Sequence, residues 1–271
     1  MRLGIISALH EEQQGLVEGM QGPTRLIHGM REYSAGRIGG IDAVCVLSRL
    51  GKVAAATTST MLVEKFGVTH VLFTGVAGAG DPGVKVGDIV VADTLLQYDM
   101  DASPLFPRFE VPLTGLSHFA SDQHLANTVA GAAAEFLGTG FDSVIDEAER
   151  RFFGLVRPRV HRGLIASGDQ FISSAAHINA LGAQLPGLLA VEMEGAAVAQ
   201  VCFELGVPFA VIRTISDNAN EEAATDFMRF VKTVAARYTY HIVMRFCRAL
   251  APALRSDSLP CQPAAPGSDH F

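Results

Sequence analysis

Short apolar runs alternating with longer helical patterns predict a layered α/β protein built on a mainly parallel sheet. Two observations carry this. The runs VLFTG, GDIVVAD and FAVIRTIS are apolar almost throughout, as strands covered on both faces are. Between such runs lie segments whose apolar residues return every three or four positions, the spacing of a helix that buries one side.

Taken in order, the first strand is Arg2–Ala8, followed by a helix over Glu11–Met20. A strand over Asp42–Ser48 leads into a helix over Lys52–Phe66, and strands follow at Val68–Thr74 and Asp88–Ala92. Next come a helix over Asp122–Phe136, a strand at Gly163–Ser167 and a helix over Ala175–Leu185. The strand Leu188–Val191, the helix Ala196–Leu205 and the strand Phe209–Ile215 complete the alternation. A final helix runs from Glu222 to about Leu250, with Phe227, Val231, Val234, Tyr238 and Ile242 forming one apolar stripe. Tyr98–Leu113, with three prolines among aromatics and acids, reads as a long ordered loop. Gly138–Arg162 mixes charges without a period. No linker divides residues 1–250, which read as one domain, and the Pro-, Ala- and Ser-rich segment 251–271 is expected to be a disordered tail.

The 271 residues are 49% apolar and 18% charged, which excludes a disordered chain. A net charge of −7 argues against nucleic acid as a partner, since that affinity rests on lysine and arginine neutralising phosphates. Cys45, Cys202, Cys247 and Cys261 form no CxxC pair, so neither a zinc ribbon nor a disulfide framework is expected. The apolar opening is shorter than a secretory signal needs, and the charge-free stretch Gln170–Val191 is too polar to span a membrane. A cytoplasmic protein without membrane contact is expected.

Ligands of open α/β sheets bind beyond the carboxyl ends of the strands, and polar residues gather at four such places. Leu9-His10-Glu11-Glu12 follows the first strand and reads, taken alone, as an acidic first helical turn. Gly75-Val76-Ala77-Gly78-Ala79-Gly80 reads either as a tight strand-to-loop turn or as backbone that a ligand approaches closely. Its glycine spacing is not the dinucleotide fingerprint, which counts against an oxidoreductase. Glu192-Met193-Glu194 sets two carboxylates after a buried run, suited to sugar hydroxyls unless both simply emerge at a helix start. Arg213-Thr214-Ile215-Ser216-Asp217 ends another apolar strand. There Asp217 is either a helix cap or a shielded acid able to donate a proton.

Together these places resemble the 5′-methylthioadenosine/S-adenosylhomocysteine nucleosidases of the nucleoside phosphorylase-like superfamily. The resemblance runs colinearly through GIISALHEE, GKVAAA, FTGVAGAG, VKVGDIVVAD, RGLIASGDQFI, AVEMEGAAVAQV and PFAVIRTISDNA, over about residues 1–250. It implies a three-layer α/β/α fold with a central mixed, mainly parallel twisted sheet. It implies cleavage of the N-glycosidic bond of an adenine nucleoside by water, with no cofactor and no metal. By the resemblance Glu12 activates water and Asp217, aided by Ser216, protonates N7 of adenine. Glu194 and its neighbour Glu192 belong to the sugar site with Met193 and Arg213. Phe171 stacks on adenine, Ile172 reads its edge, Val76 and Gly78 lie beside the sugar, and Phe227 lines the 5′ pocket. Val76 stands where many relatives carry Ser or Thr, and Leu9 where Met is common. A homodimer is also implied, with the 98–113 loop, Leu105 and Phe106 in particular, near the partner's pocket.

The alternatives are a phosphate-dependent purine nucleoside phosphorylase and a non-catalytic nucleoside sensor. A phosphate dianion calls for arginines or an amide-rich loop, and Glu12 puts an acid where positive charge is wanted. A sensor has no need of Glu12, Glu194 and Asp217 together. The resemblance leaves open the 5′ substituent, among methylthioadenosine, adenosylhomocysteine, 5′-deoxyadenosine and aminodeoxyfutalosine.

Overall fold

The computed structural model describes residues 1–219 and 227–256, the side chains of 252–256 excepted. The chain opens with β1 (Arg2–Ser7), α1 (His10–Glu18), the hairpin β2 (Gln21–His28) and β3 (Arg31–Ile38), then β4 (Ile41–Leu47) and α2 (Lys52–Glu64). It continues through β5 (His70–Ala79), β6 (Ile89–Gln97), β7 (His118–Ala120), α3 (Gln123–Thr139), and the short helices α4 (Phe141–Val144) and α5 (Glu147–Phe152). After β8 (Val160–Ser167), α6 (Ala175–Gln184), β9 (Leu188–Glu192), α7 (Gly195–Glu204) and β10 (Phe209–Asp217), it ends in α8 (Phe227–Phe230), a π-turn (Val231–Ala235) and α9 (Ala236–Ser256).

All ten strands join one mixed sheet. The expected parallel ladders join β1 to β4 and β5, β10 to β5, and β8 to β6 and β9. Antiparallel ladders join β2 to β3, β3 to β4, β5 to β9, β6 to β7 and β6 to β10. Because β5 pairs with both β10 and β9, the strands β5, β10, β6, β8 and β9 close into a ring, and β1, β4, β3 and β2 extend from it as an open wing.

Period-two alternation within the strands splits the interior into two cores. On one face Leu3, Ile5 and Leu72 meet Leu16 of α1, Val129 and Phe136 of α3, and Tyr238 and Phe246 of α9. On the other, Ile6, Val44 and Phe73 meet Leu62 of α2 and Val198 and Cys202 of α7. Helices therefore cover both faces, which is why β1, β5 and β10 are buried at most positions. The start of α3 is fixed by Asp122, whose Oδ1 accepts from the Leu125 amide at 2.9 Å.

Three expectations change. The hairpin β2–β3 carried no strand signal, because β2 is exposed along almost its whole length and has no apolar face to display. It turns tightly through Gly29 and Met30, whose φ values of 54° and 61° suit a two-residue hairpin. The glycine-rich segment after VLFT is not a turn: β5 runs on to Ala79, held by β10 on one side and β9 on the other. The segment without a period, 138–162, contains the end of α3, then α4, α5 and the start of β8. The expected start of the last helix at Glu222 lies outside the described residues, as do residues 257–271 of the expected tail; α9 itself reaches Ser256.

Candidate active site

The carboxyl ends of four strands of the ring converge. Gly78 pairs with Asp217 on one side and with Val191 on the other, and Ser167 pairs with Glu192. Over this junction lies a cavity of about 710 Å³ including its open mouth. Val76, Gly78, Ser216 and Asp217 form one wall, and Glu192, Met193 and Glu194 form another. Phe171, Ile172 and Phe227 complete the lining together with Leu9 and Leu50. Ten of the twelve sequence-derived site residues thus line one cavity. Glu12 and Arg213 stand behind its wall.

Asp217 follows an irregularity in the β10–β5 ladder between Ile215 and Asp217. Its Oδ2 accepts from the Ser216 hydroxyl at 2.7 Å and its Oδ1 from the Ala219 amide at 2.8 Å. Burial pushes its affinity for a proton up, and these two bonds offset only part of that shift. The chain passes so close that a Cβ on Gly78 would stand 2.9 Å from the Ala219 Cβ and 3.0 Å from Asp217 Oδ1.

Glu12 does the cap duty its position suggests, but with one oxygen only. Its Oε2 accepts from the Ala8 and Leu9 amides at 3.1 and 2.9 Å, at the start of α1. Its Oε1 is buried with no hydrogen-bond partner. Burial raises the Glu12 carboxyl to about 7, against the pull of the Leu9 amide, the Arg213 charge and the Ala8 and Val76 amides. A buried carboxylate with one idle oxygen has the acceptor capacity and basicity to take a proton from water.

The acids of Glu192-Met193-Glu194 part company. Glu192 ends β9 and is taken up by the protein: its carboxylate accepts from the Ser167 hydroxyl, from the Gly195 amide at 2.8 Å, from the Glu194 amide at 3.1 Å and from Arg213 Nη2 at 2.7 Å. Although Glu192 borders the cavity, these bonds leave it little capacity for a ligand. Arg213 is equally occupied: its Nη1 donates to the Ile212 carbonyl at 3.1 Å and its guanidinium lies 4.0 Å from the Phe73 ring centre. The pair forms a buried floor. Glu194 stands where β9 gives way to α7, and its Oε1 accepts from the Gly51 amide at 2.7 Å. Burial and the nearby Glu192 raise its carboxyl well above the ordinary range.

Phe171 is 49% exposed, an open aromatic face at the cavity mouth, and its ring meets Phe227 edge-on at 6.1 Å. Phe227 at the start of α8 faces the cavity, while Phe230 at its end enters the core. Sequence reasoning missed Leu50, which lies in no motif, gave no role to Gln170 within RGLIASGDQFI, and missed Gly51 as a partner of Glu194 across 143 positions. Among the described residues, no group of three or more His, Cys, Asp or Glu could hold a metal ion.

The model of the Phosphorylase superfamily matches residues 2–248, which sets the class of the chain. Within that class, the 5′-methylthioadenosine/S-adenosylhomocysteine nucleosidase of Geobacillus thermodenitrificans is 35% identical over 246 residues, covering 90% of this chain and 95% of the relative. The structure of the corresponding nucleosidase from Neisseria meningitidis in complex with methylthio-immucillin-A superposes with a TM-score of 0.80 at 32% identity, over 92% of this chain and 99% of that one. The futalosine hydrolase of Helicobacter pylori superposes with a TM-score of 0.76 at 31% identity, over 90% and 97%. The chain belongs to the 5′-methylthioadenosine/S-adenosylhomocysteine nucleosidase family.

Proposed function

We propose that this protein hydrolyses the N-glycosidic bond of 5′-substituted adenine nucleosides, releasing adenine and the 5′-substituted ribose. The observation that carries the reading is the pairing of an acid in the cavity wall, its proton affinity raised by burial, with a buried carboxylate that keeps one oxygen idle. Adenine leaves poorly as an anion. Asp217 gives its proton to N7, so the base departs neutral while positive charge develops on the sugar. Glu12 takes a proton from the water that adds to the anomeric carbon. One carboxyl acting as acid and one as base is the logic of inverting glycoside hydrolysis.

Glu194 accepts from ribose hydroxyls with the oxygen that Gly51 leaves free, and Met193 packs against the sugar. Val76 and Gly78 border the sugar, and Val76 adds apolar contact where a hydroxyl side chain would add a hydrogen bond. Phe171 stacks on the purine and the Ile172 backbone reads its edge. Glu192 and Arg213 hold this arrangement from beneath. Among the described residues lining the cavity there is no lysine or arginine, which supports water rather than a phosphate dianion as the nucleophile.

Leu9, Leu50 and Phe227 offer the 5′ substituent an apolar seat, which favours a thioether. The likeness to a futalosine hydrolase makes aminodeoxyfutalosine the second substrate to try. The active unit is a homodimer in the cytoplasm. Leu105 and Leu113 at 84% and 91% exposure, with Phe106 beside them, support a role for the 98–113 loop against the partner's pocket.

The test is adenine release from methylthioadenosine and adenosylhomocysteine in phosphate-free buffer, with Glu12→Gln alongside. Release by the natural protein and its loss in the variant are expected. Release that requires phosphate and yields a sugar 1-phosphate would overturn the hydrolase reading.

A further inference from the structure

Beside the cavity, three segments far apart in sequence are locked into a closed ring of hydrogen bonds. The Lys52 amide donates to Asp169 Oδ1 at 2.8 Å. The Lys52 ammonium donates to Asp99 Oδ1, and Asp99 Oδ2 accepts from the Asp169 amide at 2.9 Å. The Lys52 and Asp99 side chains are only 15% and 26% exposed, so solvent screens their pairing less than it would on an open surface.

This clasp touches the site at two points. Gly51, next to Lys52, is the residue whose amide holds Glu194 Oε1 at 2.7 Å. It does so with φ at 92°, a backbone state that aims the amide into the cavity wall and that glycine reaches without strain. Asp169 opens the segment that carries Phe171 and Ile172, whose Gln170 carbonyl is held by the Tyr98 hydroxyl at 3.0 Å. Tyr98 and Asp99 are adjacent, so one short stretch after β6 secures both attachments.

We propose that Lys52 and Asp99 are positioning residues for the sugar: they fix the Gly51–Lys52 turn, and through the Gly51 amide they hold the Glu194 carboxylate in the orientation that receives the ribose hydroxyls. The proposal rests on the nucleosidase reading of the cavity. Neither side chain lines the cavity. Each acts through Gly51. Removing either charge frees the turn, and Glu194 then samples orientations that do not meet the sugar.

The experiment compares Asp99→Asn, Lys52→Met and Lys52→Arg on methylthioadenosine and on its 3′-deoxy counterpart. In Asp99→Asn and Lys52→Met, kcat/KM for methylthioadenosine should fall about tenfold, as small misplacements of substrate-holding groups do. The preference for the ribo over the 3′-deoxy nucleoside should shrink by a similar factor, while Lys52→Arg keeps most of both. In a Glu194→Ala background Asp99→Asn should add little, because the two changes act on one interaction. The Tm of each variant should stay within about 3 °C of the natural protein, since a pair near the surface contributes modestly to stability. An unchanged ribo preference, or equal loss on both nucleosides, would overturn the proposal. If Lys52→Met fails to fold, Asp99→Asn, which keeps the side chain's size and removes its charge and one acceptor oxygen, decides the matter. A natural protein that releases no adenine from any 5′-substituted nucleoside would overturn the nucleosidase reading instead.

Discussion

Arg213 Nη2 donates to Glu192 Oε2 at 2.7 Å, with the two side chains at 1% and 3% exposure. The same glutamate holds the Glu194 and Gly195 amides, so the pair fastens β10 to the start of α7 beneath the sugar site. Arg213→Met should destabilise the protein by about 3–5 kcal/mol, because it strands a carboxylate among partners that cannot neutralise it. Adding Glu192→Gln should recover part of the loss. Denaturant titration of the single and double variants checks this, and a mild single-variant effect would mean that Glu192 simply takes up a proton.

Asp217→Asn keeps the shape of the acid and removes its proton. Turnover should fall by about 10²–10⁴-fold, the usual contribution of a positioned acid. Binding of adenine itself should change much less. Steady-state kinetics with calorimetric titration of adenine separates the two effects.

Activity should fall on the acid side. Glu12 works ionised, and burial has raised it to about 7, so kcat/KM should decline as the pH drops below that value. A pH profile of kcat/KM that stays flat through the acid range would remove Glu12 as the base.

The same burial costs stability. Unfolded, Glu12 ionises near 4.5; folded, near 7. Between these values the folded state holds a proton that the unfolded state has lost, so stability falls as the pH rises through the window. Glu12→Gln should therefore be more stable than the natural protein above about pH 7, by on the order of 3 kcal/mol, and no more stable below about pH 4.5. Thermal melts of both proteins at the two extremes provide the comparison.

Gly78→Ala should damage catalysis more than binding. The added Cβ would meet Asp217 Oδ1 at 3.0 Å and the Ala219 Cβ at 2.9 Å, and relief requires moving the acid. A loss of at least about tenfold in kcat is expected, as misplaced catalytic groups typically lose that much or more. Kinetics with methylthioadenosine would show whether KM follows.

Much of this was legible in the chain because the strands that carry the site are buried on both faces and announce themselves by unbroken apolar runs. VLFT, LLAV and FAVIRTI lead directly to Gly78, Glu192 and Asp217. What stayed hidden has physical reasons. Strand β2 hangs at the sheet edge, exposed along almost its whole length, so its sequence shows no pattern. Glu192 and Glu194, two positions apart, look alike until the partners arrive: Arg213 and Ser167 for one, the Gly51 amide for the other. Asp99 had no readable role because its partners, Lys52 at the start of α2 and Asp169 after β8, lie far away in sequence.

The closed ring of five strands divides the two halves of the chemistry between unlike foundations. Asp217, Glu194 and the segment bearing Phe171 all spring from strands hooped together like staves, where each ladder braces the next and none can shift alone. Glu12 lies outside that hoop, on α1, which follows β1 and packs against β4, the π-turn and α9. On the proposed reading, the acid and the sugar-binding carboxylate therefore share one closed frame, and the base reaches the site from a separate element.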